Sequence, residues 1–215
     1  MDRRRVLKNM GLSLGYMVAT PTLLGIVQSC KSEPAITWSP EFLTQKQGGA
    51  LSKLVDIILP KTDTPSASEV QVDVFIDKFA SEVMEKEKQD FFIMSMDKFL
   101  EKAMADAGKA KVEDLTAEDL EPVLASALKY TKDQQTEMFE SINSYTEAVA
   151  NGETAELADE TTRFAFANNL RGLTIWGYKA SEYVGEEVLA YLPVPGEYIP
   201  CGDMQELTEG KAWSL

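Results

Sequence analysis

Apolar residues recur at helical spacing through most of this 215-residue chain, and no run alternates with period two for long enough to build a strand. Val72, Phe75, Ile76, Phe79 and Val83 form one such set, and Phe92, Met96, Phe99, Leu100 and Met104 form the next, ending at Gly108. Thr116-Ala117-Glu118-Asp119 has the form of a capping box with Asp in place of Glu, and it opens a helix through Leu120, Val123, Leu124 and Leu128. Met138, Phe139, Ile142, Tyr145 and Val149 mark another, which stops near Asn151-Gly152. The last long helix is expected from Ala158 through Phe164, Phe166, Leu170 and Leu173 to Trp176, with Gly177 as its punctuation.

At the front of this pattern, Ser39-Pro40-Glu41 offers a helix start with Pro in the first turn, and the apolar residues from Leu51 to Leu59 fit a helix halted at Pro60. Lys61 to Ser68 mixes Pro, Asp and hydroxyl residues without periodicity and reads as an ordered surface loop. Ser181 and Glu182 open a further helix through Val184, Val188 and Leu189, before Pro193-Val194-Pro195-Gly196 begins an irregular tail. The expected fold is all-α: a single helical bundle without internal repeats.

The formal net charge of −14 argues against nucleic acid as a partner, because counterion release needs clusters of Lys and Arg. The chain has no histidine. That removes the Ser-His-Asp triad, His-ligated zinc or haem iron, and C-x-x-C-H haem attachment. Cys30 and Cys201 are too few for an iron–sulfur cluster. The acid pairs Asp159-Glu160 and Glu186-Glu187 read as solvated helix faces: neither sits in a calcium-binding loop, and no G-x-G-x-x-G turn follows a strand to hold a dinucleotide.

The first residues, Asp2-Arg3-Arg4-Arg5-Val6-Leu7-Lys8, precede a modestly apolar stretch from Met10 to Val27 that is diluted by Gly, Ser and Thr. Consecutive arginines followed by Leu7 and Lys8 resemble the twin-arginine motif of the pathway that exports folded proteins. The stretch ends Ile26-Val27-Gln28-Ser29-Cys30, similar to the lipobox at which bacterial lipoproteins are cleaved and acylated on cysteine. The alternative is an uncleaved transmembrane helix over residues 10–27. Both readings put the domain beside a membrane, on the periplasmic side. The expected organisation is a signal segment over residues 1–29, a linker over 30–43 and a helical domain over 44–215. Removing residues 1–29 takes the net charge from −14 to −17.

Two stretches resemble the gluconate 2-dehydrogenase subunit 3 family. The first is Asp56-Ile57-Ile58-Leu59-Pro60-Lys61-Thr62-Asp63-Thr64-Pro65, a helix end running into a T-D-T-P loop. The second begins Gly177-Tyr178, continues through Ser181-Glu182 and closes with Pro193-Val194-Pro195-Gly196-Glu197-Tyr198 and Cys201. The resemblance implies a non-catalytic small subunit. In such complexes a large subunit holds FAD and oxidises the sugar or sugar acid, and a cytochrome c subunit often takes the electrons onward. The large subunit commonly lacks a signal of its own, so the folded complex would ride on the small subunit's leader. No catalytic, cofactor-binding or metal-binding residue is then expected in this chain.

The residues that carry the resemblance are the candidates for partner contact: Pro60, Thr62, Asp63, Thr64 and Pro65 in the loop, and Trp176, Tyr178, Pro195, Gly196, Tyr198 and Cys201 near the C-terminal end. The blander readings are an Asx-type turn for Thr62 to Pro65 and plain core packing for the aromatics. Two other classes of function stay open on sequence: a self-sufficient lipoprotein enzyme built on converging carboxylates, and a stand-alone periplasmic binding or scaffolding lipoprotein.

Overall fold

The computed structural model describes residues 38–194, 196, 199 and 201–214. The residues proposed for export (Arg3, Arg4, Leu7, Lys8) and lipidation (Cys30), together with Pro195 and Tyr198, lie outside the described residues.

The described residues form a helical bundle. Its helices are α1 (Gln45–Ile58), α2 (Val72–Glu82), α3 (Lys86–Ala107), α4 (Ala117–Leu128), α5 (Lys132–Ala150), α6 (Asp159–Ala180) and the short α7 (Met204–Thr208). No helix among the described residues is long and apolar enough to cross a membrane.

The long helix α6 is the axis of the bundle, and α1 to α5 all pack on it. Its buried positions include Thr161, Phe164, Phe166, Ala167, Leu170, Leu173, Thr174 and Gly177, so its first half is covered on most sides, while Arg171, Gly172, Ile175 and Trp176 line an exposed face of its second half. Phe166 meets Phe92 and Phe99 of α3 at ring-centroid distances of 5.7 and 5.1 Å. The hydroxyl of buried Thr174 donates to the Leu170 carbonyl at 2.7 Å, so a polar atom at full burial stays satisfied within its own helix. By contrast α5 has no fully buried residue and lies along one edge of the bundle, where Phe139 meets Phe164 edge-to-face at 5.2 Å.

The helix starts follow local chemistry. α1, α4 and α5 each open with a reciprocal capping box, Thr44 with Gln47, Thr116 with Asp119 and Thr131 with Gln134. The Thr116 box is the one legible in advance, and it is reinforced: Lys109 donates to Asp119 at 2.6 Å, the Thr116 amide at 2.7 Å and the Thr116 hydroxyl at 2.8 Å.

Three expectations are corrected. The first helix begins at Gln45, not at Ser39-Pro40-Glu41. The preceding amides are already engaged: those of Glu41, Phe42 and Leu43 donate to the carboxylate of Asp77 in α2, at 2.7, 3.3 and 2.8 Å. One turn earlier on α2, Asp73 accepts from the Trp38 indole at 3.0 Å and from the Ser52 hydroxyl. Residues 38–43 are therefore a strap buckled to α2. Secondly, Gly177 does not end α6, which runs on to Ala180. Its missing side chain instead admits α2, because a Cβ at Gly177 would lie 2.6 Å from a Phe75 ring carbon and 3.3 Å from Val72. Thirdly, Val83, read as part of the α2 apolar stripe, falls just past the helix end and is exposed. The helix expected from Ser181-Glu182 does form: Glu182 and Tyr183 are helical and run into one π-type turn over Val184–Val188, closed by the Leu189 amide on the Val184 carbonyl at 2.9 Å.

Two predictions follow from these anchors. Asp77 is 1% exposed, and Asp77→Ala leaves three amides without their acceptor, so a loss of about 3 kcal/mol is expected, with Asp77→Asn costing about half as much. Urea unfolding of the folded domain measures both. The Lys109 ammonium, with the Thr116 amide and hydroxyl, holds the Asp119 carboxyl down from 3.8 to about 2. A depressed carboxylate contributes stability that is complete above its unfolded value and fades as pH falls through the folded one. Between about pH 4 and pH 2 the melting temperature of Asp119→Asn is therefore expected to fall less steeply than that of the wild type.

Candidate functional site

The loop between α1 and α2 is fastened from three sides. From behind, Asp56 at the end of α1 accepts from the Ser68 amide at 2.8 Å and the Ser68 hydroxyl at 2.6 Å. Across the base, the Ala67 amide donates to the Leu59 carbonyl at 3.0 Å. On the flank, Glu69 accepts from the Ser66 amide at 2.9 Å and from Lys61 at 2.5 Å. These donors, Lys61 first, hold the Glu69 carboxyl below its ordinary range. A left-handed Gln71, at φ 59°, then turns the chain into α2.

The fourth fastening comes from far along the chain. The Tyr178 hydroxyl, on the last turn of α6, donates to the Pro65 carbonyl at 2.8 Å. That contact brings together the two sequence stretches singled out above. Tyr183, just beyond α6, completes a shallow cavity of about 390 Å³ whose other walls are Lys61 to Pro65, Glu69 and Val70.

Within the loop the turn is made by threonine, not aspartate. The Thr64 amide donates to the Thr62 hydroxyl at 3.4 Å and the Thr62 amide to the Thr64 carbonyl at 3.0 Å. An Asx turn by Asp63 would need an amide two residues on, and Pro65 has none. The Asp63 carboxylate thus stands exposed on a loop whose backbone is already fixed. Pro60 and Thr62 are exposed as well, whereas Thr64 and Pro65 are half-buried.

Trp176, two residues before Tyr178, is 44% exposed. Its inner edge meets Phe75 and Phe79 of α2 edge-to-face at 5.1 and 5.2 Å, so the indole is held rigidly while one side faces water. Gly196 and Cys201 are exposed in the C-terminal segment. Asp159 lies 3.6 Å from Lys98, Glu160 accepts from Tyr130 at 2.9 Å, and Glu186 and Glu187 are solvated. Among the described residues no three Cys, Asp or Glu side chains converge on a point that would hold a metal ion.

The chemistry gathered around the loop is a carboxylate, two hydroxyls, an ion-paired ammonium and rigid aromatic surface. Such groups suit a preorganised contact with another molecule. Tyr183, Val70 and the Lys61–Glu69 pair were not legible as part of it. Only the spacing of Tyr183, five residues after Tyr178, hinted that it follows the same helix end.

The gluconate 2-dehydrogenase subunit 3 family model matches residues 45–196, from the first residue of α1 to the C-terminal segment. The chain belongs to the gluconate 2-dehydrogenase subunit 3 family. No curated protein and no solved structure matches it. The matched span of this subunit 3 family member contains the loop, Trp176, Tyr178 and the cavity, and it leaves out the strap and Cys201.

The Tyr178 contact is directly testable. Tyr178→Phe is expected to cost about 1 kcal/mol and to speed hydrogen exchange at the Thr62 and Thr64 amides while α3 and α4 stay protected. Unchanged exchange in the loop would mean that Asp56 and Glu69 suffice to hold it.

Proposed function

We propose that this chain is a non-catalytic accessory subunit of a periplasmic FAD-dependent dehydrogenase acting on a sugar or sugar acid of the gluconate type. In this reading the flavoprotein is the large partner subunit, FAD resides there, and a cytochrome c subunit is a further candidate partner. The chain's own work is export, assembly and anchoring. The arginine motif at Arg3, Arg4, Leu7 and Lys8 would direct export of the folded complex, and acylated Cys30 would hold it on the periplasmic side of a bacterial membrane.

One observation carries the reading. In the loop after α1 and the end of α6, Pro65 and Tyr178 lie 113 positions apart, yet they are bonded into a single rigid, exposed face. Membership of a family named for one subunit of a dehydrogenase supplies the kind of partner that such a face would meet. The lack of histidine agrees with chemistry done elsewhere, since a neutral-pH general base is most often imidazole.

Purification of the full chain from its native membrane in mild detergent, with mass spectrometry and a visible spectrum, tests this. A stoichiometric large subunit with a flavin spectrum is expected. A lone, colourless protein after crosslinking would refute it and favour a stand-alone binding or scaffolding lipoprotein.

A further inference from the structure

Where α5 turns back through residues 151–158 into α6, a second cavity of about 320 Å³ opens at the edge of the bundle. Its walls include Ser141, Ser144 and Tyr145 on α5, Glu156 and Leu157 in the connection, and Thr161 in the first turn of α6. That volume lies within the range of small-molecule sites.

Two separate features leave hydrogen-bonding capacity unused here. Ala158, the residue before α6, lines the cavity and brings no side-chain cap, and the amides of Asp159, Glu160 and Thr161 find no acceptor among the described residues. Thr161 itself is only 8% exposed, yet its hydroxyl has no protein partner. Among the described residues no buried side-chain oxygen or nitrogen is both enclosed and unpartnered, so this hydroxyl opens into the cavity that Thr161 lines. The next residue shows the usual alternative: the Thr162 hydroxyl donates back to the Ala158 carbonyl at 3.0 Å. A hydroxyl at this depth that does not fold back on its own helix is free to bond a second molecule.

The remaining wall atoms specify what that molecule carries. The Ser141 and Ser144 hydroxyls donate to the Glu137 and Glu140 carbonyls at 2.9 and 3.0 Å, and the Tyr145 hydroxyl donates to Met94 Sδ at 3.6 Å. Their donor hydrogens are used, and their oxygens remain able to accept. Glu156 adds an exposed carboxylate. The helix start and Thr161 thus supply donors, while α5 and Glu156 supply acceptors. A complementary ligand needs acceptors and donors together, and a hydroxyl group has both. Charge narrows the class. Glu156, Asp159 and Glu160 repel an anion, and Lys98, the cation 3.6 Å from Asp159, is already paired. A cation would face the positive end of the α6 dipole.

We infer that this cavity binds a small neutral polyol, a sugar ring or an open-chain alditol, whose hydroxyls bond the first turn of α6 and the facing wall of α5. The inference stands apart from the accessory-subunit reading, which concerns the other end of α6.

Amide-resolved NMR titration of the full chain in sugar-free lauryldimethylamine oxide micelles tests it, with D-glucose and D-sorbitol as ring and open-chain probes and inorganic phosphate as the anionic probe. Saturable shifts at the Asp159, Glu160 and Thr161 amides are expected with at least one polyol and none with phosphate. Thr161→Val, which keeps the shape and removes the hydroxyl, is expected to weaken saturation about tenfold. Ser144→Leu, at an exposed position of α5, is expected to abolish it by filling the cavity, and the distant Ser126→Ala to leave it unchanged. Circular dichroism checks that each variant keeps its helices, and Ser144→Leu decides the matter if Thr161→Val does not. Shifts that only grow linearly with either polyol, wild-type saturation in Ser144→Leu, or saturation by phosphate instead would each refute the inference. None of these results touches the accessory reading, which is decided by the flavoprotein that co-purifies.

Discussion

Phe166 lies between Phe92 and Phe99, with ring centroids 5.7 and 5.1 Å away, and this contact locks α6 against α3 at the middle of the bundle. Large aromatic side chains buried together contribute both transfer free energy and geometric preference. Once the centre of α6 is fixed, its far end is fixed too, because a helix of 22 residues is a stiff rod. The positions of Trp176, Tyr178 and Tyr183 are thus consequences of packing several turns away. The loop after α1 then inherits its orientation through Pro65.

Gly177 connects these two scales. A helix that must run past α2 and still deliver Tyr178 to Pro65 needs a smooth place where the two backbones draw close, and Phe75 and Val72 occupy the volume that any larger side chain would claim. The edge-to-face contacts of Trp176 with Phe75 and Phe79 depend on the same approach. The geometry of this face is therefore coupled to the core by one glycine and three aromatic rings.

Much of the fold was legible in the sequence because helical periodicity is strong wherever one face is buried, as in the sets from Val72 and from Phe92. The Thr116 capping box was legible because it is local. The misread start of α1 and Gly177 share a physical cause: their partners are distant in sequence. Ser39-Pro40-Glu41 has the form of a helix start, and only Asp77, brought over from α2, shows why its amides are taken. Gly177 reads as a breaker until α2 is placed against it. The loop and the end of α6 were legible as a pair only through family resemblance, and their bond needed coordinates.

The strap has a mechanical consequence. Tension transmitted along the chain ahead of Trp38 would reach the bundle first through the indole on Asp73 and the amides on Asp77, before it came to the Thr44 cap of α1. Several hydrogen bonds to two anchored carboxylates would share that load, and α2, wedged against α6, would carry it into the centre of the domain. A folded body tethered by one end is most easily unravelled from that end, and here the pull would be diverted sideways into the core before the first helix could begin to fray.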